Sequence, residues 1–381
     1  MSPTPVTLAS PIAPASYSWE ATNEEVAARY GMAVEQVVRF DLNTSPTPPP
    51  LAARVLAAGQ FETPLSDYPP SDYRRLVDAA AARYGVDREE LLVGAGADEV
   101  LDLAGKAFLS VASVAVVPTP TYAMYRVITE QRGATVVAVP RLGAVDGWAL
   151  DLPATRRAAR DAALVWLCSP NNPTALAEPA GAIETLLDDL AADARIDRRR
   201  PPAVVLDEAY AEFVGRSLVG LRHRHPRLVV VRTASKAYAL AGLRVGFAIA
   251  RPETIAEIAP YRPPGSVATT SVTVVTEALS DPDVLEANLE RVERERDRLA
   301  RGLRDAGWAV GPSVTNFLLA DLGTPARAAI TAEGLLRRGL VPRTFPAGHP
   351  LAAWLRVTVR DTGDNDRLIA AARDIAEESA P

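Results

Sequence analysis

The chain has 381 residues, 48% of them apolar and 23% charged, which is enough for more than one domain and typical of a folded globular protein. Its net charge of −6, without a concentrated basic tract, argues against nucleic acid as a partner. One cysteine, Cys168, excludes an internal disulfide framework and fits a reducing cytoplasm. No apolar run reaches the length of a membrane span, and His223, His225 and His349 lack metal-ligand spacing, so no metal site is expected.

The first residues (MSPTPVTLASPIAP) lack the basic start and apolar core of a secretory signal, and their prolines suggest an extended arm. Asn23–Tyr30 reads as a short helix and Val37–Leu42 as a strand running into the proline cluster at 46–50. A helical patch follows at Leu51–Ala58. Ser71 is placed to cap a helix over Asp72–Tyr84. Beyond it, short apolar strands alternate with helices. A helix spans Asp98–Leu109 after Gly94–Ala95–Gly96. Val114–Pro118 is a strand, Tyr122–Gln131 a helix, and Thr135–Val139 and Ala163–Cys168 are strands. The helix Ala182–Ala194 ends in the run Arg195–Arg200, which reads as a solvated helix end and loop. Ala203–Leu206, Leu228–Val231 and Val245–Ala250 are further strands. The alternation predicts an α/β fold with a mostly parallel, doubly covered sheet. Val245–Ala250 follows its predecessor too closely for a helical crossover and is expected to be antiparallel. Pro282–Ala306 is an amphipathic helix with the stripe Leu285, Leu289, Val292, Leu299 and Leu303. Strands at Phe317–Asp321 and Trp354–Val359 alternate with helices at Pro325–Arg338 and Asn365–Ser379, giving a smaller α+β domain.

Chemistry is concentrated where three strands stop. Ala163–Cys168 ends in Ser169–Pro170–Asn171–Asn172, Ala203–Leu206 in Asp207–Glu208–Ala209–Tyr210, and Leu228–Val231 in Thr233–Ala234–Ser235–Lys236. In open α/β sheets, ligands collect beyond the carboxyl ends of the strands. Only two of the 41 basic residues are lysines, Lys106 and Lys236. A lysine retained in so arginine-rich a chain, after a strand and among hydroxyls, points to a need for a primary amine, and the chemistry that most often needs one is a Schiff base. Pyridoxal phosphate makes matching demands: an amine for its aldehyde, a carboxylate for its ring nitrogen, donors for its ring oxygen, and hydroxyls, amides and a guanidinium for its phosphate. Lys236, Asp207, Tyr210 with Asn172, and Thr233, Ser235 and Arg244 can supply these. Gly94–Ala95–Gly96–Ala97–Asp98 offers free N–H groups at a helix start. The buried reading of Cys168, inside an apolar strand, is favoured over a reactive one.

With these motifs (GAGADEVLDL, PTPTYAMY, SPNNPT, VVLDEAYAEF, TASKAYALAGLRVGFAIA and LRVTV, in this order) the chain resembles the fold-type I pyridoxal-phosphate aminotransferases of class I/II, most of all the histidinol-phosphate branch, over 42–371. The resemblance implies a large cofactor-binding domain at 46–284, a small domain at 285–381, and an arm with part of the small domain at 1–45. It implies Lys236 as the Schiff-base lysine and proton carrier. Asp207 becomes the partner of the ring nitrogen, Tyr210 and Asn172 the ring-oxygen ligands, and Tyr122 the stacking aromatic. Ala97, Asp98, Thr233, Ser235 and Arg244 form the phosphate cup, and Tyr68 reaches the phosphate of the partner subunit in a homodimer with shared active sites. Arg356 would hold the substrate carboxylate, Arg343 a substrate phosphate, and Asn43 the substrate side. The implied reaction is ping-pong transamination between a small-molecule amino donor, L-histidinol phosphate, and 2-oxoglutarate, in cytoplasmic histidine biosynthesis. An aromatic or natural-product aminotransferase, or a threonine-phosphate decarboxylase-like lyase on the same scaffold, stays open. A cofactor-sensing transcription regulator is disfavoured, because about forty residues without basic character precede the fold. Three departures from the family pattern, Thr44–Ser45 in the Asn43 loop, Ala175 and Arg360, lie near the substrate side or the loops that support it.

Overall fold

The computed structural model describes residues 16–18 and 20–378, so the extended-arm reading of the first fourteen residues lies outside the described residues. The central sheet has seven strands in the order Leu91–Gly94, Gly246–Ile249, Leu228–Thr233, Ala203–Asp207, Leu164–Cys168, Val114–Thr119 and Thr135–Pro140. Gly246–Ile249 is antiparallel to both its neighbours, as its short connection requires, and the other pairs are parallel. The inner strands are apolar and buried on both faces, the condition for a parallel sheet, and the edge strand Thr135–Pro140 is largely open to solvent. Val165, Leu167, Val204, Leu206 and Val230 point into one core. Their chain neighbours Leu164, Trp166, Val205, Val229 and Val231 point into another on the opposite face, the two-residue period of a pleated strand.

A third core surrounds an antiparallel sheet of Trp354–Thr358, Phe317–Asp321 and Ala309–Val310. The chain near its start reaches this core through a two-residue parallel pairing, Val38–Arg39 with Leu340–Val341. The strand expected over Val37–Leu42 is confined to that pair, and the chain after Phe40 turns into the loop that crosses the site. Helix Pro282–Asp305 begins on an Asp281 side-chain cap. Val284 and Leu285 pack in the first core, Leu299 and Leu303 in the third, so residues 284–285 lie in the first turn of a continuous helix.

Two local expectations need correction. The helix expected from Asp72 starts at Arg74, and Ser71 does not cap it; Tyr73 stands at the cap in the left-handed region with φ 48°. Tyr73 is fully buried, and its hydroxyl accepts from the Val267 amide at 3.1 Å, so burial of the ring sets the helix start. The helix after Gly94 opens at Gly96, two residues early, because Glu99 Oε2 accepts the Ala95 amide at 2.6 Å and closes its first turn. The Arg195–Arg200 run is a helix end and a largely exposed loop. Among the described residues, no helix is long and apolar enough to cross a membrane.

Candidate active site

The carboxyl ends of the central strands open into a cavity of about 500 Å³. Every candidate from the sequence except Tyr68 lines it: Asn43, Ala97, Asp98, Tyr122, Asn172, Asp207, Tyr210, Thr233, Ser235, Lys236, Arg244, Arg343 and Arg356. Tyr68 lies outside and is 90% exposed.

At the deep end, Asp207 terminates its strand. Its Oδ1 accepts the Ala209 amide at 2.9 Å and its Oδ2 the Tyr125 hydroxyl at 2.7 Å. Burial lifts its carboxyl to about 6 despite these donors. Lys236 follows the strand Leu228–Thr233 after a turn in which Thr233 Oγ1 bonds Ser235 Oγ at 2.9 Å. The Lys236 amine lies 3.4 Å from the Leu42 carbonyl oxygen. Burial, followed by the nearby Arg356 charge, lowers this amine to about 8. Burial raises the Tyr210 phenol, whose oxygen accepts from Asn43 Nδ2 at 3.0 Å. Cys168, on the neighbouring strand, is buried, and its thiol is pushed up to about 12.

A second end gathers the start of the helix Gly96–Phe108 and the Arg244 guanidinium. Asp98 joins Tyr122, whose hydroxyl donates to it at 2.9 Å, and Arg244, whose guanidinium lies 3.1 Å away. At Gly246 the backbone is packed closer than a side chain allows, and at Gly96 the chain takes a left-handed turn. Gly96 has φ 84°, and a Cβ on it would meet the Arg244 guanidinium, while a Cβ on Gly246 would fall on the Gly96 carbonyl and the Ala97 nitrogen. Glycine at both positions lets a helix N-terminus, an exposed guanidinium and the Ser235 hydroxyl face one point.

The third end carries two arginines. Arg356 is buried, bonded to Asn172 Oδ1 and the Asp41 carbonyl, with its Nε left without a hydrogen-bond partner. Arg343 sits directly across from it, joined by backbone bonds of 2.9 and 3.1 Å. The Arg343 guanidinium lies 5.5 Å over the Tyr17 ring and donates to Ser18 O at 3.0 Å.

The site also uses residues that the sequence reading did not select: Tyr125 bonds Asp207 from behind the cavity lining, and Tyr17, Asp41 and Leu42 line the cavity itself. Tyr125 had a signal: it follows Tyr122 by three residues, a spacing that suits one helical face. Tyr17, Asp41 and Leu42 had none, because tertiary contacts alone bring them in. Of the departures, Thr44 lines the cavity. Ala175 is buried against Tyr210 and Phe317 with φ 65°. Ser45 and the Arg360 carbonyl accept from Arg291 on the long helix, at 3.2 and 3.1 Å, and belong to supporting loops.

The donor set fits pyridoxal phosphate: a neutralisable amine, a buried carboxylate that lacks a cationic hydrogen-bond partner, and a glycine-lined cradle. Gly246→Ala is expected to overpack that cradle, costing about 1–3 kcal/mol of apoprotein stability and weakening cofactor binding at least tenfold. Thermal denaturation and a cofactor titration check both effects.

A family model described as aminotransferase class I and II matches residues 35–372. The histidinol-phosphate aminotransferase of Roseiflexus castenholzii is 35% identical, with 93% of each chain covered. That of Symbiobacterium thermophilum is 36% identical, with 91% of this chain and 92% of the relative covered. The solved structure of histidinol-phosphate aminotransferase from Sinorhizobium meliloti, in complex with pyridoxal-5'-phosphate, superposes with a TM-score of 0.85 at 25% identity over 96% of both chains. The ordered strand ends, the cavity they form and these relatives agree: the chain belongs to the class I and II aminotransferases, pyridoxal-phosphate-dependent enzymes of fold type I.

Proposed function

We propose that the enzyme moves the amino group of L-histidinol phosphate to 2-oxoglutarate in ping-pong order. The observation that carries this reading is the Arg343–Arg356 pair, two arginines opposite each other on one backbone bridge and both lining the cavity wall, with Glu20 lying 3.7 Å from the Arg343 guanidinium. Like charges directly opposite repel, and a bound anion relieves that repulsion. The donor brings a phosphate and the acceptor two carboxylates, and planar guanidinium groups suit either. The names of the relatives support the choice of donor.

Bound pyridoxal phosphate supplies the carbonyl carbon and the electron sink for charge at the substrate Cα. Asp207 holds the ring-nitrogen proton, Tyr210 and Asn172 hold the ring oxygen, and Tyr122 covers the ring face. Arg244, Ser235, Thr233 and the amides of Ala97 and Asp98 hold the phosphate. The Lys236 amine, lowered to about 8, takes and holds the substrate Cα proton, since a base works best with a pKa close to the working pH. Arg356 holds the carboxylate of the acceptor and Arg343 the phosphate of the donor, with Asn43 beside them. The first product leaves before the acceptor enters, and the same residues act in reverse. The exposed Tyr68 supports a homodimer in which it reaches the partner's cofactor phosphate, and the reading places the enzyme in the cytoplasm. In this division, 46–284 holds the cofactor and 285–381 the substrate arginines.

The test is an absorbance spectrum of the cofactor-loaded protein before and after L-histidinol phosphate. The visible band is expected to bleach and to return with 2-oxoglutarate. A band unmoved by the donor overturns the substrate, and carbon dioxide release from phosphothreonine without a keto acid overturns transamination.

A further inference from the structure

Asp207 is held by a group that the reading above leaves without a task. Tyr125 is fully buried, and its hydroxyl donates to Asp207 Oδ2 at 2.7 Å. Its surroundings fix it in place. The ring stacks on Trp166, with centroids 5.4 Å apart and planes within 10°. Thr129 Oγ1 donates to the Tyr125 carbonyl at 2.7 Å and accepts from Trp166 Nε1 at 3.1 Å. Trp166, Thr129 and Tyr125 thus support one another, and the Tyr125 hydroxyl meets the carboxylate with the Cys168 thiol also against it.

We propose that Tyr125 is a positioning residue that keeps Asp207 ionised and aimed at a cationic ring nitrogen. The inference rests on the reading of Asp207 as the ring-nitrogen partner. A hydroxyl donor favours the charged form of a carboxyl group. The other groups around Asp207 divide. Burial and the Asp98 charge favour the protonated acid, and the Ala209 amide and the Lys236 charge favour the ion. Burial keeps Cys168 and Tyr210 neutral, so neither adds a charge. The balance leaves the carboxyl at about 6, where the loss of one donor changes its state close to neutral pH.

The probe is pyridoxamine 5'-phosphate, which forms no bond to Lys236. The apoprotein is titrated with it by fluorescence between pH 5 and 8. Binding needs ionised Asp207, so wild-type affinity holds above the carboxyl's midpoint of about 6 and falls below it. Tyr125→Phe keeps the stacked ring and removes only the donor. Its midpoint is expected to rise by about one pH unit, so binding is about tenfold weaker at about pH 5 and within about twofold of wild type at about pH 8. Replacing Tyr125 by 3-fluorotyrosine, a stronger donor of nearly the same shape, lowers the midpoint instead and serves if the phenylalanine variant does not fold. Ligand titrations common to all variants cancel in the comparison. Asp207→Asn is expected to lack the midpoint. If the step survives in Asp207→Asn, the reading of Asp207 fails. If Asp207→Asn abolishes it while both changes at Tyr125 leave it unmoved, Tyr125 only fills space and the inference is overturned.

Discussion

Lys236→Ala is expected to lower turnover by at least about 10³-fold while leaving a folded protein, because in the proposed function the Lys236 amine is both the covalent anchor and the proton carrier. Stopped-assay kinetics on the cofactor-loaded variant measure this, and near-normal turnover would sink the assignment. The same variant has a second, opposite signature. In the folded protein burial lowers this amine to about 8, below the unfolded value of about 10.4. The unfolded chain therefore binds the proton more tightly between these values, and wild-type apoprotein stability rises with pH across that window. Below it the charged amine is held at a cost. Lys236→Ala removes the cost, so its apoprotein melts higher at neutral pH and lacks the alkaline rise. Catalytic loss with a gain in stability separates a working amine from a structural one.

Arg356→Ala is expected to raise KM for the keto acid by about 10- to 100-fold, the range for losing hydrogen bonds to a charged group. The guanidinium is fixed by Asn172 and the Asp41 carbonyl, and its buried Nε has no partner among the described residues. Arg356→Lys does not restore the wild-type value, because an ammonium cannot make the bidentate pair. Steady-state kinetics with both substrates test this, and unchanged KM values for both would move the anion site elsewhere. The change also frees Asn172 Oδ1, so a smaller fall in kcat accompanies the rise in KM.

The parallel sheet and most of the cavity could be read from the sequence because strand ends are local. A β-branched run followed by Asp207 or by Thr233–Ala234–Ser235–Lys236 fixes where a polar group emerges, and the fold gathers those ends. Helix Thr269–Ser280 shows the opposite case. Its sequence, TTSVTVVTEALS, has strand-like β-branching, yet it is helical and buried almost throughout. Thr273, Thr276 and Ser280 satisfy their hydroxyls on carbonyls four residues back, at 2.7–3.0 Å, and burial outweighs weak propensity. Tyr17 enters the cavity under Arg343 from over three hundred residues away, and no local pattern carries such a contact. Asn43 is legible as a polar loop residue, but its bond to Tyr210 depends on Thr358 and Asn316 holding its backbone from the other core.

The 24-residue helix Pro282–Asp305 is about 36 Å long. As a beam shared by two cores, it makes each core a load on the other. Leu299 and Leu303 anchor one end and Val284 and Leu285 the other, so loosening at one end is expected to reach the other. Asn288, in between, donates to the Ala237 carbonyl at 2.7 Å, one residue beyond Lys236. Neither half can fray while the other keeps a working site. A partly denatured population then divides into intact enzyme and inactive chain, and residual activity counts the folded molecules.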